Sequence, residues 1–252
     1  MLPRRISFRE GITVLLLVSA TCSHAGPPFV TDDPVPPENK SWEINYAFTG
    51  THAADGDTWA LPSADINYGL NGNIQLHILT QAVYASASGL HAFGIGDTEV
   101  GVKYRLTDAK GDTQAWAVGL YPILSVPTGN QNRGLGSGTS HFYLPLWVQT
   151  QRGAWTFFGG GGYTINQKRD VRNTWSGGGA ALNQIGQNLQ LGGELYFKTG
   201  VAIGEGTSYA FNLGGTYMLR TDYSILFAVG KGILQTSDSN RTSAYLGLKV
   251  IY

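Results

Sequence analysis

Arg241-Thr242-Ser243-Ala244-Tyr245-Leu246-Gly247-Leu248-Lys249-Val250-Ile251-Tyr252 is the stretch from which the fold is read. Ala244, Leu246, Leu248, Val250 and Tyr252 alternate with Ser243, Tyr245, Gly247, Lys249 and Ile251, so one face is apolar and the other mostly polar. Period two is the period of a β-strand, whose successive side chains point to opposite faces of a sheet.

The same alternation recurs upstream. Tyr209, Phe211, Leu213, Gly215 and Tyr217 oppose Ser208, Ala210, Asn212, Gly214 and Thr216, and Tyr223, Ile225, Phe227 and Val229 follow after Leu219-Arg220-Thr221-Asp222. Leu189, Leu191, Leu195 and Phe197 alternate with Gln190, Gly192, Glu194, Tyr196 and Lys198. Gly is frequent at 35 of 252 residues and charged residues make up 13%, as expected of a chain rich in strands and turns. After residue 25 nothing approaches the ~18 consecutive apolar residues of a helical span. A membrane protein of this sequence has to be a closed β-barrel, because only closure satisfies every backbone polar group in lipid.

Connection lengths separate a barrel from a soluble sandwich. Short turns near Gly69–Gly72, Thr107–Asp112, Gln151–Gly153, Gly186–Asn188 and Leu219–Asp222 alternate with longer loops at Gly50–Asp57, Tyr84–Ile95, Pro127–Thr139, Gln167–Thr174, Gly200–Gly206 and Ile233–Asn240. Short periplasmic turns and long outer loops mark an outer-membrane barrel, here of about twelve antiparallel strands. Trp42, Tyr68, Tyr104, Trp155, Tyr217, Tyr223 and Tyr252 fall at strand ends beside a terminus or short turn, where an interfacial aromatic girdle belongs. Asp97, Glu99, Lys103 and Arg105 share one face of their strand. A Lys or Arg facing lipid near the midplane costs about 2–4 kcal/mol, so that face is expected to line the lumen, with Glu43, Asp65, Glu194, Lys198 and Lys249 at the same parity on their strands. These charges serve either as a brace across a narrow bore or as the lining of a path.

The N-terminus reads as an address. Arg4, Arg5 and Arg9 precede the apolar run Ile12–Ala20, and Ser23-His24-Ala25 supplies small residues for cleavage, so residues 1–25 are expected to be a secretory signal peptide. The remainder carries 14 basic and 16 acidic residues and no cysteine. No attraction to nucleic acid, no disulfide and no cysteine metal site is expected. Residues 26–40 carry Pro27, Pro28, Pro34, Pro36 and Pro37, which forbid a helix or central strand, leaving a periplasmic extension or a lumen plug. The barrel itself is expected over residues 41–252.

Catalytic and metal chemistry find no support. Gly159–Gly162, Gly177–Gly179 and Gly134-Leu135-Gly136 lack the Lys-Ser/Thr of a phosphate loop, and in strands glycine permits curvature and close backbone approach. His52, His77, His91 and His141 show no metal-site spacing. Ser140 directly precedes His141, which sends the two side chains to opposite faces, unlike the His-x-Ser arrangement of barrel phospholipases. No enzyme activity, cofactor or metal is expected.

The C-terminal alternation ending on Tyr252 resembles the assembly signal of bacterial outer-membrane proteins, which implies the barrel-assembly machinery and outer-membrane lipids as partners. Gly26-Pro27-Pro28-Phe29-Val30-Thr31-Asp32-Asp33-Pro34 with Trp42-Glu43-Ile44-Asn45 resembles the start of the family labelled "MetA-pathway of phenol degradation". The likeness continues through Ile66-Asn67-Tyr68-Gly69-Leu70, Gly96 to Leu106, Ser125-Val126-Pro127-Thr128-Gly129 and Leu191-Gly192-Gly193-Glu194-Leu195-Tyr196-Phe197. The resemblance implies an outer-membrane channel, in some members linked to the breakdown of aromatic compounds; with the barrel and its charged lumen it leads to the expectation of passive diffusion of small solutes, hydrophobic or aromatic ones among them, while the signal peptide implies export through the Sec pathway. A barrel of this size has a narrow passage at most. The alternatives are a closed structural or adhesive barrel that binds a partner through its outer loops, and an envelope lipid hydrolase.

Overall fold

The computed structural model describes residues 27–53, 56–87, 89–107, 116–168, 171–202, 204–234 and 242–252. The expected signal peptide, Gly26, most of the turn Thr107–Asp112, residues 235–240 of the last loop and Arg241 lie outside the described residues.

Strand segments follow one another as β1 (Trp42–His52), β2 (Asp57–Gly69), β3 (Ile74–Ala87), β4 (Leu90–Ile95), β5 (Thr98–Arg105), β6 (Ala117–Leu120) and β7 (Ile123–Val126). After a 3-10 turn at Gln131–Arg133 come β8 (His141–Arg152), β9 (Trp155–Asn166), β10 (Thr174–Ile185), β11 (Leu189–Lys198), β12 (Ser208–Arg220), β13 (Tyr223–Leu234) and β14 (Thr242–Ile251). Pairing is antiparallel throughout and follows chain order. β14 returns to pair with β1 from Ile251↔Glu43 to Thr242↔His52, which closes the sheet. β4 and β5 both pair with β3, and β6 and β7 both pair with β8, so each couple is one interrupted stave and the barrel has twelve. The interruptions fall at Gly96-Asp97 and at Tyr121-Pro122, where proline has no N–H to give the ladder.

The faces are those of a barrel turned toward lipid. Leu76 and Ile78 on β3, Val100 and Val102 on β5, Phe142, Leu144 and Leu146 on β8 and Leu246 and Leu248 on β14 are exposed on the outside. Their strand neighbours Gln75, Lys103, Trp147 and Lys249 are buried inside. A contiguous exposed apolar wall around a polar interior inverts the arrangement of a soluble protein, and its partner is hydrocarbon. Aromatics ring the end that carries the described short turns and the C-terminus: Trp42, Tyr104, Trp155, Tyr217, Tyr223 and Tyr252 are exposed, and the half-buried Tyr68 stands 4.6 Å from the Trp42 ring. A second set marks the opposite end, with Tyr163 and Trp175 4.9 Å apart and Phe197 and Tyr209 6.3 Å apart.

Two of the expected long loops are largely strand. β1 runs through His52 and β2 begins at Asp57, while β3 runs through Ala87 and β4 begins at Leu90. The small residues Ala85, Ser86 and Ala87 carry no alternation to read, yet their backbones pair with Ala92, His91 and Leu90. Ladder hydrogen bonds belong to the backbone and form where closure brings two chains together. Gly50 pairs with Trp59 in the β1–β2 ladder, and the Trp59 ring occupies the space a side chain at Gly50 would take.

Because Leu246 lies midway along β14 on the lipid side, Leu246→Arg is expected to cost about 2–4 kcal/mol of barrel stability. A lowered urea midpoint for unfolding from lipid vesicles checks it.

Candidate functional site: a filled lumen

The bore is occupied. Residues 27–37 run inside the barrel, with Thr31, Asp33 and Pro34 almost fully buried. The chain then turns at Lys40, whose φ of 63° is left-handed, and enters β1. Lys40 N donates to Gly69 O at 2.6 Å and Ser41 N to Glu38 O at 3.1 Å, which fixes that exit.

The wall is moulded to this segment. A Cβ at Gly119 would stand 2.9 Å from Pro34 Cβ, and one at Gly178 would collide with the Thr31 hydroxyl. Phe29 packs against Phe158, Ala180 and Leu182, its ring centroid 6.5 Å from that of Phe158. Glycine here is a matter of room for a third layer of chain, in keeping with close backbone approach.

Polar bonds hold the segment at two levels. Glu194, 3% exposed on β11, accepts the Val30 amide at 2.8 Å and the Thr31 amide at 2.7 Å, and Asn212 Nδ2 donates to the same carboxylate at 2.6 Å. Ser243 Oγ donates in turn to Asn212 Oδ1 at 3.0 Å. Hydrogen bonds to a buried carboxylate are about twice as strong as neutral ones, so two successive amides on one carboxylate make a firm clasp. Nearer β1, Lys103 Nζ, on a residue 3% exposed, pairs with Asp32 Oδ1 at 3.0 Å and lies 4.8 Å from the centre of the Tyr121 ring.

Around that level the inward residues form a chain of contacts. Lys249 Nζ lies 3.0 Å from Glu43 Oε2, Asn45 Nδ2 reaches Glu43 and Asp65 at 3.4 and 3.3 Å, and His77 Nδ1 lies 3.1 Å from Asp65 Oδ1. Asn67 donates to Asp65 and receives Gln75. Between this network and the segment remains a cavity of about 40 Å³ touching Asp32, Glu43, Asp65, Gln75, Lys103 and Tyr121. It is roomy enough for water. A far larger apolar hollow of about 710 Å³ is lined by outward-facing Phe48, Leu213, Val229 and Leu246.

Of the nine charges expected in the lumen, the structure pairs Glu43 with Lys249 and gives Asp65, Asp97, Glu99, Lys103, Arg105 and Glu194 other partners. Glu99 accepts from Ser125 Oγ at 3.0 Å. Arg105 donates to Gly72 O at 3.0 Å and Asn73 Oδ1 at 2.9 Å, which ties it to the β2–β3 turn. Lys198 is exposed at the far end of β11. Asp97 sits in the break between β4 and β5 and accepts from Gly129 N, Ser137 N and Ser137 Oγ at 3.0, 2.7 and 2.7 Å. It latches the loop 127–140, whose buried Leu135 fills the space beside Gly94. Asp32, Asp33, His77, Tyr121, Asn212 and Phe158 belong to the site and were not singled out from the sequence. Inward parity marks His77, Asn212 and Phe158; Asp32, Asp33 and Tyr121 lie outside strands and have no parity.

No family model matches the chain, and no curated protein matches it by sequence. Solved structures match it by fold. An outer membrane channel from Pseudomonas putida F1 superposes with a TM-score of 0.70 at 13% identity, covering 91% of this chain and 100% of that one. The KdgM porin superposes at 0.57 with 13% identity over 82% of this chain and 98% of its own. The NanC porin superposes at 0.55 with 10% identity over 83% and 98%. The fold is that of an outer-membrane β-barrel.

Two outcomes test this geometry. A Thr31→Cys reporter, the sole thiol in the chain after residue 25, is expected to be shielded from maleimide and to react at least about tenfold faster when Glu194→Ala removes the carboxylate, since each such bond contributes about 1.5–3 kcal/mol. Asp97→Ala is expected to loosen the loop 127–140, seen as faster tryptic cleavage at exposed Arg133 in the lipid-embedded protein.

Proposed function

We propose that the chain is an outer-membrane channel for small, hydrophobic or aromatic solutes, closed in this state by its own N-terminal segment. The observation that carries the reading is that the bore is filled by a separate stretch of chain. A twelve-stave barrel lies between the eight-stranded type, which side chains fill, and the open sixteen-stranded porins. Its width exceeds what a bracing network needs, and residues 27–37 occupy the difference. The segment continues into the wall at Ser41, and its described holds on the lumen include one clasp, one ion pair and an aromatic contact, so it can leave without the barrel opening. The residues it would uncover include Phe158, Ala180 and Leu182, which suit an apolar solute better than a sugar. This agrees with the resemblance to the phenol-degradation family. Ser140 and His141 have no part in the reading, which is non-enzymatic. Export through the Sec pathway, insertion by the assembly machinery through the C-terminal strand and residence among outer-membrane lipids complete it.

A second reading, a closed barrel that binds a partner through its outer loops, is favoured by the continuous contacts from Lys249 to Gln75 and by the occupied lumen. Bilayer conductance and liposome swelling separate the two. The intact protein is expected to conduct weakly, and Glu194→Ala to conduct severalfold more and to admit a small aromatic carboxylate faster than a sugar of similar size. Background conductance from both proteins leaves only the closed barrel.

A further inference from the structure

The segment that fills the bore carries two consecutive carboxylates in opposite surroundings. Asp32 is partly exposed and holds the ion pair with Lys103. Asp33 is 0% exposed; its Oδ1 accepts the Val35 amide at 2.6 Å, and its Oδ2 has no hydrogen-bond partner among the described residues. A charged carboxylate there is cut off from the solvent surface, and burial of that kind favours the neutral acid.

The neighbouring charges are divided, with Lys103 the strongest of them and on the side of the ionised form. Asp32 on its own segment and Glu43 on β1 are acidic and act directly on Asp33, while Lys103 on β5 opposes them but is already engaged by Asp32. The buried Tyr121, at the β6–β7 break, lies in the field of Asp32 and Asp33 and also of Asp65 of β2 and Glu99 of β5. His77 of β3 packs edge-on to Tyr121 at 5.6 Å, and Lys249 of β14 is spent on Glu43. The charges that act on Asp33 are thus Lys103 on one side and Asp32 and Glu43 on the other, and burial outweighs them.

We propose that Asp33 makes closure of the bore proton-linked: the segment is seated with Asp33 neutral and loosens when that carboxyl ionises. The inference rests on the reading of residues 27–37 as a displaceable stopper. Burial, opposed by Lys103 and reinforced by Asp32, raises the Asp33 carboxyl from its ordinary 3.8 to about 7. The seated form therefore binds the proton more tightly than the released form. Seating is strongest below about pH 4, weakens by up to tenfold per pH unit between about 4 and 7, and is constant above that, a total on the order of a thousandfold.

The test is a nitroxide on Val30→Cys, whose side chain is 61% exposed and tolerates a label, in the full-length protein in liposomes. The mobile fraction is expected to rise from pH 4 to 7 and level off, and Asp33→Asn, which cannot ionise, is expected to stay immobile throughout. A flat titration of the parent overturns the proposal, as does an unchanged titration in Asp33→Asn, which would assign the effect to another group. If Asp33→Asn does not fold, Asp33→Ser takes its place with the same expected outcome, and a flat titration of the parent still overturns the proposal. Conductance recorded over the same range keeps the two readings apart. A label that titrates with conductance that follows supports both. A label that titrates with conductance that never rises supports proton-linked seating and removes the channel.

Discussion

Ring closure through β1 and β14 is the constraint on which everything else depends. In hydrocarbon an unpaired N–H or C=O has no water to turn to, so an open sheet edge is excluded and the last stave has to find the first. The ten paired positions from Glu43↔Ile251 to His52↔Thr242 meet that demand. Closure also sets the register, and register decides which side chains face lipid and which face the bore. Leu246 and Leu248 stay outside only because Lys249 lies opposite Asn45 within.

A barrel of twelve staves has a space at its centre that its own side chains bridge only in part, and the protein fills it with a stretch that cannot be strand. Five prolines in residues 26–40 remove ladder donors and forbid helix, which suits a peptide that must run free of the wall. In place of a ladder, its amides find the Glu194 carboxylate and its Asp32 finds Lys103. The glycines of the wall give way to it. The outcome is a filled lumen whose filling hangs on a few strong polar contacts, the combination expected of a part that is held in place and can be let go.

Strand parity is the part of the lumen that the sequence carries. The parity that marks Lys103, Glu194 and Lys249 as inward follows from the cost of putting charge in lipid, and all three are buried within the barrel. Their partners were another matter. Lys103 and Asp32 are 71 residues apart, and Thr31 and Glu194 are 163 apart. Asp97 and Arg105 share the parity of Lys103 but serve a loop and a turn, because their places at the two ends of β5 put them beside the backbone amides of Gly129 and Ser137 and the carbonyl of Gly72.

What the sequence by itself determined is therefore everything that repeats with period two: the strands, their two faces, the aromatic rim and the even number of staves. Those features are local, since a strand's alternation is set by the backbone and is visible within ten residues. The position of residues 27–37 in the bore, the clasp at Glu194, the isolation of Asp33 and the latch at Asp97 were decided only by the tertiary structure. Each depends on which distant staves closure brings face to face, and an irregular proline-rich segment carries no period from which its neighbours can be read.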